Sequence, residues 1–205
     1  MKHFRMLLAT LLVFSASAFA ADEDPAIKLE KTINTALEVF YGENAVSMSA
    51  ADQRNQIANL MGESYDLTVI MRRAMGRNWK KLTPAQQEEV LALFDDLVIK
   101  VTYDNLSGGG EKPRITYGKT TYQSDKRVSI PSTIVADGQT HNINYSLGKL
   151  ASGWQIYDIV AEDISFVANY RQQFDDHFRR SDGDALIAKL KELLNNNDKN
   201  AEIKI

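Results

Sequence analysis

The chain has 205 residues, a formal net charge of −3 and no cysteine, and 44 % of its residues are hydrophobic. Acidity this mild carries no electrostatic signature for nucleic acid, and no disulfide is available to stabilise the fold in an oxidising compartment. Stability must come from apolar burial, for which a chain of about one domain's length is sufficient.

The N-terminal stretch reads as a leader. Lys2, His3 and Arg5 form a positive end, Met6 to Phe14 is apolar, and Ala18 and Ala20 occupy the small-residue positions of a cleavage site. The apolar run falls short of the roughly 20 residues that span a bilayer. The reading is a secretory signal peptide over 1–20 with cleavage near 20/21, and a soluble protein delivered to a bacterial periplasm. No cysteine lies near the cut to carry a lipid, and loss of Lys2 and Arg5 takes the formal charge from −3 to −5. What remains is expected to be a single domain over 21–195 followed by a loose polar tail over 196–205.

Pro25 opens a first helix, in which Ile33, Leu37 and Phe40 recur at helical spacing. Ser49 and Asp52 form a capping pair for a second. A third helix runs from Tyr65 to Met75 and stops at Gly76, a residue suited to the left-handed conformation. Thr83-Pro84-Ala85-Gln86 is a strong start signal for a long amphipathic helix through Val90, Phe94, Leu97 and Val101, ending near Leu106.

After Pro113 the apolar period changes from helical to alternating. "RITYGKTTY", "KRVSIPSTIVA", "THNINYSLGKL" and "GWQIYDIV" read as four strands, with Asp137-Gly138 as a hairpin turn between the second and third. Pro131 inside a strand points to an edge or a bulge. A helix with Ile164, Val167, Tyr170, Phe174 and Phe178 on one face follows, and Asp182 caps a last one. Helices, then strands, then helices make an α+β domain with helices packed on one sheet.

Signals for catalysis are sparse. His141 falls on a strand and His177 on a helix beside Asp175 and Asp176, but isolated histidines are mostly structural or solvated. Asp158, Glu162 and Asp163 crowd a strand end that feeds a helix N-terminus, where acids are favoured in any case. No nucleophile elbow, zinc-binding helix motif or phosphate loop is present. The reading is therefore no catalytic residue, no metal ligand and no cofactor. The stretch from Arg72 to Lys81 carries five cations and no acid. It serves as a solvated joint between helices, or as a surface attracting anionic groups. Trp79, in its midst, covers core or rims a pocket.

Two blocks carry a resemblance. "YDLTVIMRRAMGRNWKKLTPAQQEEVLALFDDLVIKVTYDNL" holds an aromatic-Asp pair at Tyr65-Asp66, a helix ending in Gly76, a nearby Trp79 and the helix start Leu82 to Gln86. "GWQIYDIVAEDISFVANYRQQF" holds a Trp-containing strand and a helix with Asn-Tyr-Arg-Gln-Gln-Phe. Together they resemble the MlaC and toluene-tolerance family of periplasmic phospholipid-binding proteins. The resemblance implies a strongly curved four-stranded antiparallel sheet (NTF2-like) wrapped by N- and C-terminal helices around an apolar cavity. It implies a carrier, not an enzyme, with phospholipid as its carried ligand. The implied partners are an outer-membrane lipoprotein–porin complex and an inner-membrane lipid ABC transporter with its ring-shaped lipid-tunnel subunit. The implied role is maintenance of outer-membrane lipid asymmetry, performed as a monomer.

Within that reading, periodicity selects lipid-contacting positions. On the helices these are Leu67, Ile70, Met71, Leu97, Val101, Val167, Tyr170 and Phe174; on the sheet, Ile130, Ile134, Ile143, Tyr145, Leu147 and Ile156. Arg77, Trp79 and Lys80 are the expected head-group or partner-docking residues. The alternatives are a carrier of another lipid such as a hopanoid, an enzyme using His141 inside a cavity of the same kind, and an adaptor with a filled core.

Overall fold

The computed structural model describes residues 23–108, 110–196 and 203–205. The expected leader and its cleavage site lie outside them.

Each helix starts where a side chain satisfies its free backbone N–H groups. Helix α1 (Pro25–Tyr41) is capped by Asp24, which accepts from Ala26 at 2.8 Å, and α2 (Ala50–Ser64) by Ser49. Helix α3 (Leu67–Met75) is capped by Asp66 and ends at Gly76, whose φ of 53° and ψ of −123° exclude a side chain. A tight 3-10 turn over Gly76–Lys81 leads to α4 (Pro84–Leu106). There Thr83 accepts from the Gln86 N–H at 3.2 Å and Gln86 accepts from the Thr83 N–H at 2.9 Å, the expected capping box. After the sheet, Ser165 caps α5 (Phe166–His177) and Asp182 caps α6 (Gly183–Asn195).

The sheet has six strands where four were expected: β1 (Arg114–Tyr117), β2 (Thr121–Ser124), β3 (Arg127–Ala136), β4 (Gln139–Leu150), β5 (Gly153–Ala161) and β6 (Ile164–Ser165). All pair antiparallel in the order β1-β3-β4-β5-β6, with β2 alongside β1 on the outer edge of β3. Two local causes add the extra strands. "RITYGKTTY" divides because it runs past Pro131. The Pro131 carbonyl accepts from the Gly118 N–H at 2.8 Å, but proline has no N–H to return. A Cβ at position 118 would lie 2.9 Å from the Pro131 ring, so glycine is also sterically required there. At the other end, Glu162 and Asp163 take φ values of 46° and 65°, the pattern of a two-residue type I′ turn, and fold β6 back onto β5. Asp137 and Gly138, at 49° and 75°, form the hairpin that their sequence predicts.

Two packed regions flank the interior. The helical one joins α3, α4, α5 and α6 through Met71, Met75, Val90, Phe94, Leu97, Phe174 and Leu190. The other sets Leu29 of α1 on the inner face of the sheet, over Val128, Ile130, Leu147, Trp154 and Ile156. Between them the α2–α3 joint reaches the sheet, where Tyr65 makes a parallel bridge to Ile156. The tail expected to be loose over 196–205 lies partly outside the described residues, but its last three are not loose. Ile203 is 8 % exposed within the helical core, because an isoleucine ending a polar run gains most by leaving water.

Candidate functional site

An apolar cavity opens where the two packed regions diverge. Its main lobe, about 610 Å³, lies between α3, α4, the start of α5 and the inner face of β5. Leu67 and Ile70 face it from α3, and Leu91, Val98 and Val101 from α4. Ile156, Ile159 and Val167 complete its apolar wall. A second lobe of about 260 Å³ lies under α1 and α2 against Ile115, Ile134 and Tyr145. Met61, Tyr65 and Thr102 line both lobes and mark their junction.

Exposure supports the cavity's continuity with solvent. Leu67, Ile70, Leu91, Val98 and Val101 are neither buried nor exposed, because the surface they present belongs to the cavity. Thr68, Ala92, Asp95 and Asn105 are exposed residues of its rim, as is Phe166 at 47 %.

The sequence positions this wall in two ways. Helix α4 is apolar on two adjoining faces, so Val90 and Leu97 enter the closed core while Leu91, Val98 and Val101 turn to the cavity. On β5, Leu147 of β4 stands opposite Ile156 and Ser146 opposite Asp158, leaving Tyr157 as an extra residue. Strict alternation would send Ile156 and Ile159 to opposite faces. The bulge resets the phase so that both line the cavity.

Polar groups at the cavity are few, and Asp158 is the one whose bonding is defined. Asp158 accepts from the Ser165 hydroxyl at 2.6 Å and the Val167 N–H at 3.1 Å, which ties its carboxylate to the N-terminus of α5. Asp95, at the rim, is held above the usual carboxylate range by partial burial and, secondarily, by neighbouring Asp96. Burial, and secondarily the neighbouring Tyr145, push the titration of Tyr65 and Tyr117 well up, with Glu30 adding to the effect on Tyr117, and burial raises that of Tyr145. These phenols therefore stay neutral at physiological pH. Among the described residues, no cluster of histidine and acidic side chains could hold a metal ion, and no helix is long and apolar enough to cross a membrane.

The structure separates the sequence-selected wall residues into three groups. Leu67, Ile70, Val101, Ile156 and Val167 line the main lobe, and Ile134 and Tyr145 the second. Met71, Leu97, Tyr170 and Phe174 are instead closed into the helical core, and Ile130 and Leu147 into the core beneath α1. Ile143 borders a separate, shallower cleft of about 280 Å³ at the end of the sheet. Sequence reasoning passed over Ile33, Leu60, Met61 and Tyr65 near the α1–α2 hairpin, and Leu91, Val98, Ile159 and Phe166 around the main lobe. Leu91, Val98, Thr102 and Asn105 fall at the helical spacing of one face, a signal that was present in the sequence.

No residue of the cationic joint, Arg72 to Lys81, lines either lobe. Asn78 is buried and donates to Asp175 at 2.7 Å, and the Trp79 carbonyl accepts from Gln87 at 3.0 Å while its ring packs on the helical core. Arg77 and Lys80 are exposed; Arg77 stands 4.0 Å from Asp175, beside a surface groove shared with Arg171 and Arg179. None of Arg77, Trp79 and Lys80 lines the cavity. His141 lines neither lobe and stands 3.9 Å from Glu162 at an exposed end of the sheet.

A family model described as MlaC protein matches residues 30–192. Among solved structures, the chain is similar to a phospholipid-binding protein from Ralstonia solanacearum in complex with a phospholipid, at 22 % identity and a TM-score of 0.71. That match covers 84 % of this chain and 97 % of the other. No curated protein matches.

Proposed function

The chain belongs to the MlaC protein family, and from that premise we propose that it is a phospholipid carrier whose cavity shelters acyl tails while the head group stays at the rim. The observation that carries this reading is the two-lobed apolar cavity held open between helices and sheet. The likeness to a Ralstonia solanacearum protein in complex with a phospholipid supports the choice of ligand.

The physical requirement is clear. Each methylene taken out of water gains about 0.8 kcal/mol, so a two-tailed lipid faces a barrier on the order of 20 kcal/mol to crossing water unaided. A carrier removes that barrier by offering equivalent apolar surface. The main lobe of about 610 Å³ lies within the roughly 300–1,000 Å³ of ligand pockets, and joined with the second lobe of about 260 Å³ it moves towards the upper end of that range. With Asp158 already engaged by α5, the walls offer little specific bonding to a head group, which favours release to an acceptor.

The setting that fits such a carrier is the periplasm. There it would take lipid between an outer-membrane lipoprotein–porin complex and the ring-shaped subunit of an inner-membrane ABC transporter, in the service of outer-membrane lipid asymmetry. Arg77 and Lys80 would then act in docking and not at the mouth, with Trp79 anchoring their turn to the core. A binding protein also accounts better for the site than an enzyme does, since His141 lies outside the cavity.

The test is mass spectrometry of lipids extracted from the protein purified from a periplasm without detergent. Stoichiometric phospholipid is expected. A hopanoid would change the ligand class, and a folded protein devoid of lipid would overturn the reading in favour of an adaptor.

A further inference from the structure

Residues 203–205 form neither helix nor strand, yet they return to the body of the protein. Ile203 lines the main lobe together with Phe94, Val167 and Phe166, and it is as buried as a core residue. The Ile205 N–H donates to the Gln173 side chain on α5 at 2.9 Å, which fixes the segment against that helix. The sequence is consistent with this placement: a polar run from Asn195 to Glu202 gives way to Ile203-Lys204-Ile205, whose alternation puts both isoleucines on one side of an extended segment.

We propose that the seat of Ile203 is one end of an acyl-tail site, and that the chain's own residues 203–205 occupy it until a lipid tail displaces them. This rests on the carrier reading and adds to it a built-in competitor. An isoleucine side chain and the end of an acyl tail are the same chemistry, saturated hydrocarbon with no polar atom, so one substitutes for the other at the same wall. The exchange is inexpensive for the fold, because moving residues 203–205 breaks no helix and no strand ladder. It is also self-limiting, because an empty cavity is refilled by the tail and the apolar wall is not left bare to water. The apparent affinity for lipid is lowered by the fraction of molecules in which the seat is filled.

The experiment uses the full chain, delipidated and titrated with phosphatidylethanolamine carrying a pyrene-labelled acyl tail. Ile203→Asp is expected to bind the probe about tenfold more tightly than the unaltered chain, equivalent to about 1.4 kcal/mol. Ile203→Ala should move in the same direction. Gln173→Ala, which loosens the segment without touching the cavity wall, should give a smaller gain. In the unaltered chain the ¹³C methyl resonances of Ile203 should move to their solvent-exposed values as lipid saturates it. Equal or weaker binding by all three variants, with the Ile203 methyls unmoved on loading, would show a permanent wall residue and overturn the proposal while the carrier reading stands. Absence of probe binding by the unaltered chain and every variant would refute both.

Discussion

Placing a carboxylate on the cavity wall separates the needs of ligand binding from those of folding, and Val101→Asp does this most cleanly. Val101 projects from α4 into the main lobe and is only partly buried, so in the empty protein an aspartate there keeps access to water. Its cost to folding should be about 1–2 kcal/mol, or roughly 2–8 °C in Tm for a domain of this size. Lipid removes that water. An unpaired buried carboxylate is so unfavourable that it takes up a proton. At pH 7 that neutralisation costs no more than the gap to its ordinary pKa, about 3 units or about 4 kcal/mol. Lipid affinity should therefore fall about a thousandfold. The sign with pH follows, because the loaded state favours the protonated acid. Affinity should recover as pH falls towards about 4, and weaken as pH rises from there towards neutrality. The assay is titration of the delipidated variant with a fluorescent-tailed phospholipid across that range, with Tm measured in parallel. Leu97→Asp is the contrast: Leu97 is 2 % exposed in the closed core, so it should fail to fold and not merely fail to bind. A folded Val101→Asp protein with unaltered lipid affinity at pH 7 would refute the assignment of this cavity to acyl tails.

Other consequences follow from single contacts. Gly118→Ala should destabilise by about 1 kcal/mol through its clash with the Pro131 ring, and Pro131→Ala in the same chain should recover part of that loss; additive denaturation midpoints would disprove the steric explanation. Asp95 holds its proton more tightly folded than unfolded, so its ionised form costs stability. That cost is absent at low pH, where both states are protonated, and it appears as pH rises through the raised native value. Asp95→Asn should therefore raise Tm at neutral pH and lose its advantage near about pH 3; a gap independent of pH would reject that account. The double charge reversal Arg77→Glu and Lys80→Glu should leave Tm and copurified lipid nearly unchanged, since the Arg77–Asp175 pair is largely exposed. It should slow transfer to anionic vesicles or an acceptor complex several-fold, more so at low salt. Unaltered rates at every salt concentration would make the segment a joint and nothing else.

Much of the architecture is written in local chemistry. Caps and stops act within a few residues, so Pro25, Ser49, Thr83-Pro84 and Gly76 could be read directly as helix boundaries, and Asp137-Gly138 as a hairpin. The Glu162-Asp163 turn was not legible. Two acids adopt the positive φ values that Asn-Gly would signal, and they do so because the chain from β5 must reverse to place Ser165 at the start of α5. The division of "RITYGKTTY" also depended on a partner, since the interruption arises at Pro131 on the neighbouring strand.

The residues by themselves determined the class of fold, the family resemblance and which face of each element is apolar, because periodicity follows from backbone geometry alone. They could not determine whether an apolar face is filled or left open. Ile130 and Ile134 lie on the same face of β3, four residues apart; Leu29 of α1 covers the first, and the second lobe opens over the other. Leu97 and Val101 differ in the same way on α4. A core side chain and a ligand wall have identical hydrophobicity. Only the distance to the opposite element distinguishes them, and that distance is set by how α1, α4 and α5 converge on the sheet. The bulge that brings Ile159 inward and the return of Ile203 from a polar tail belong to the same category. Both are decided by contacts between residues remote in the chain, which tertiary packing alone supplies.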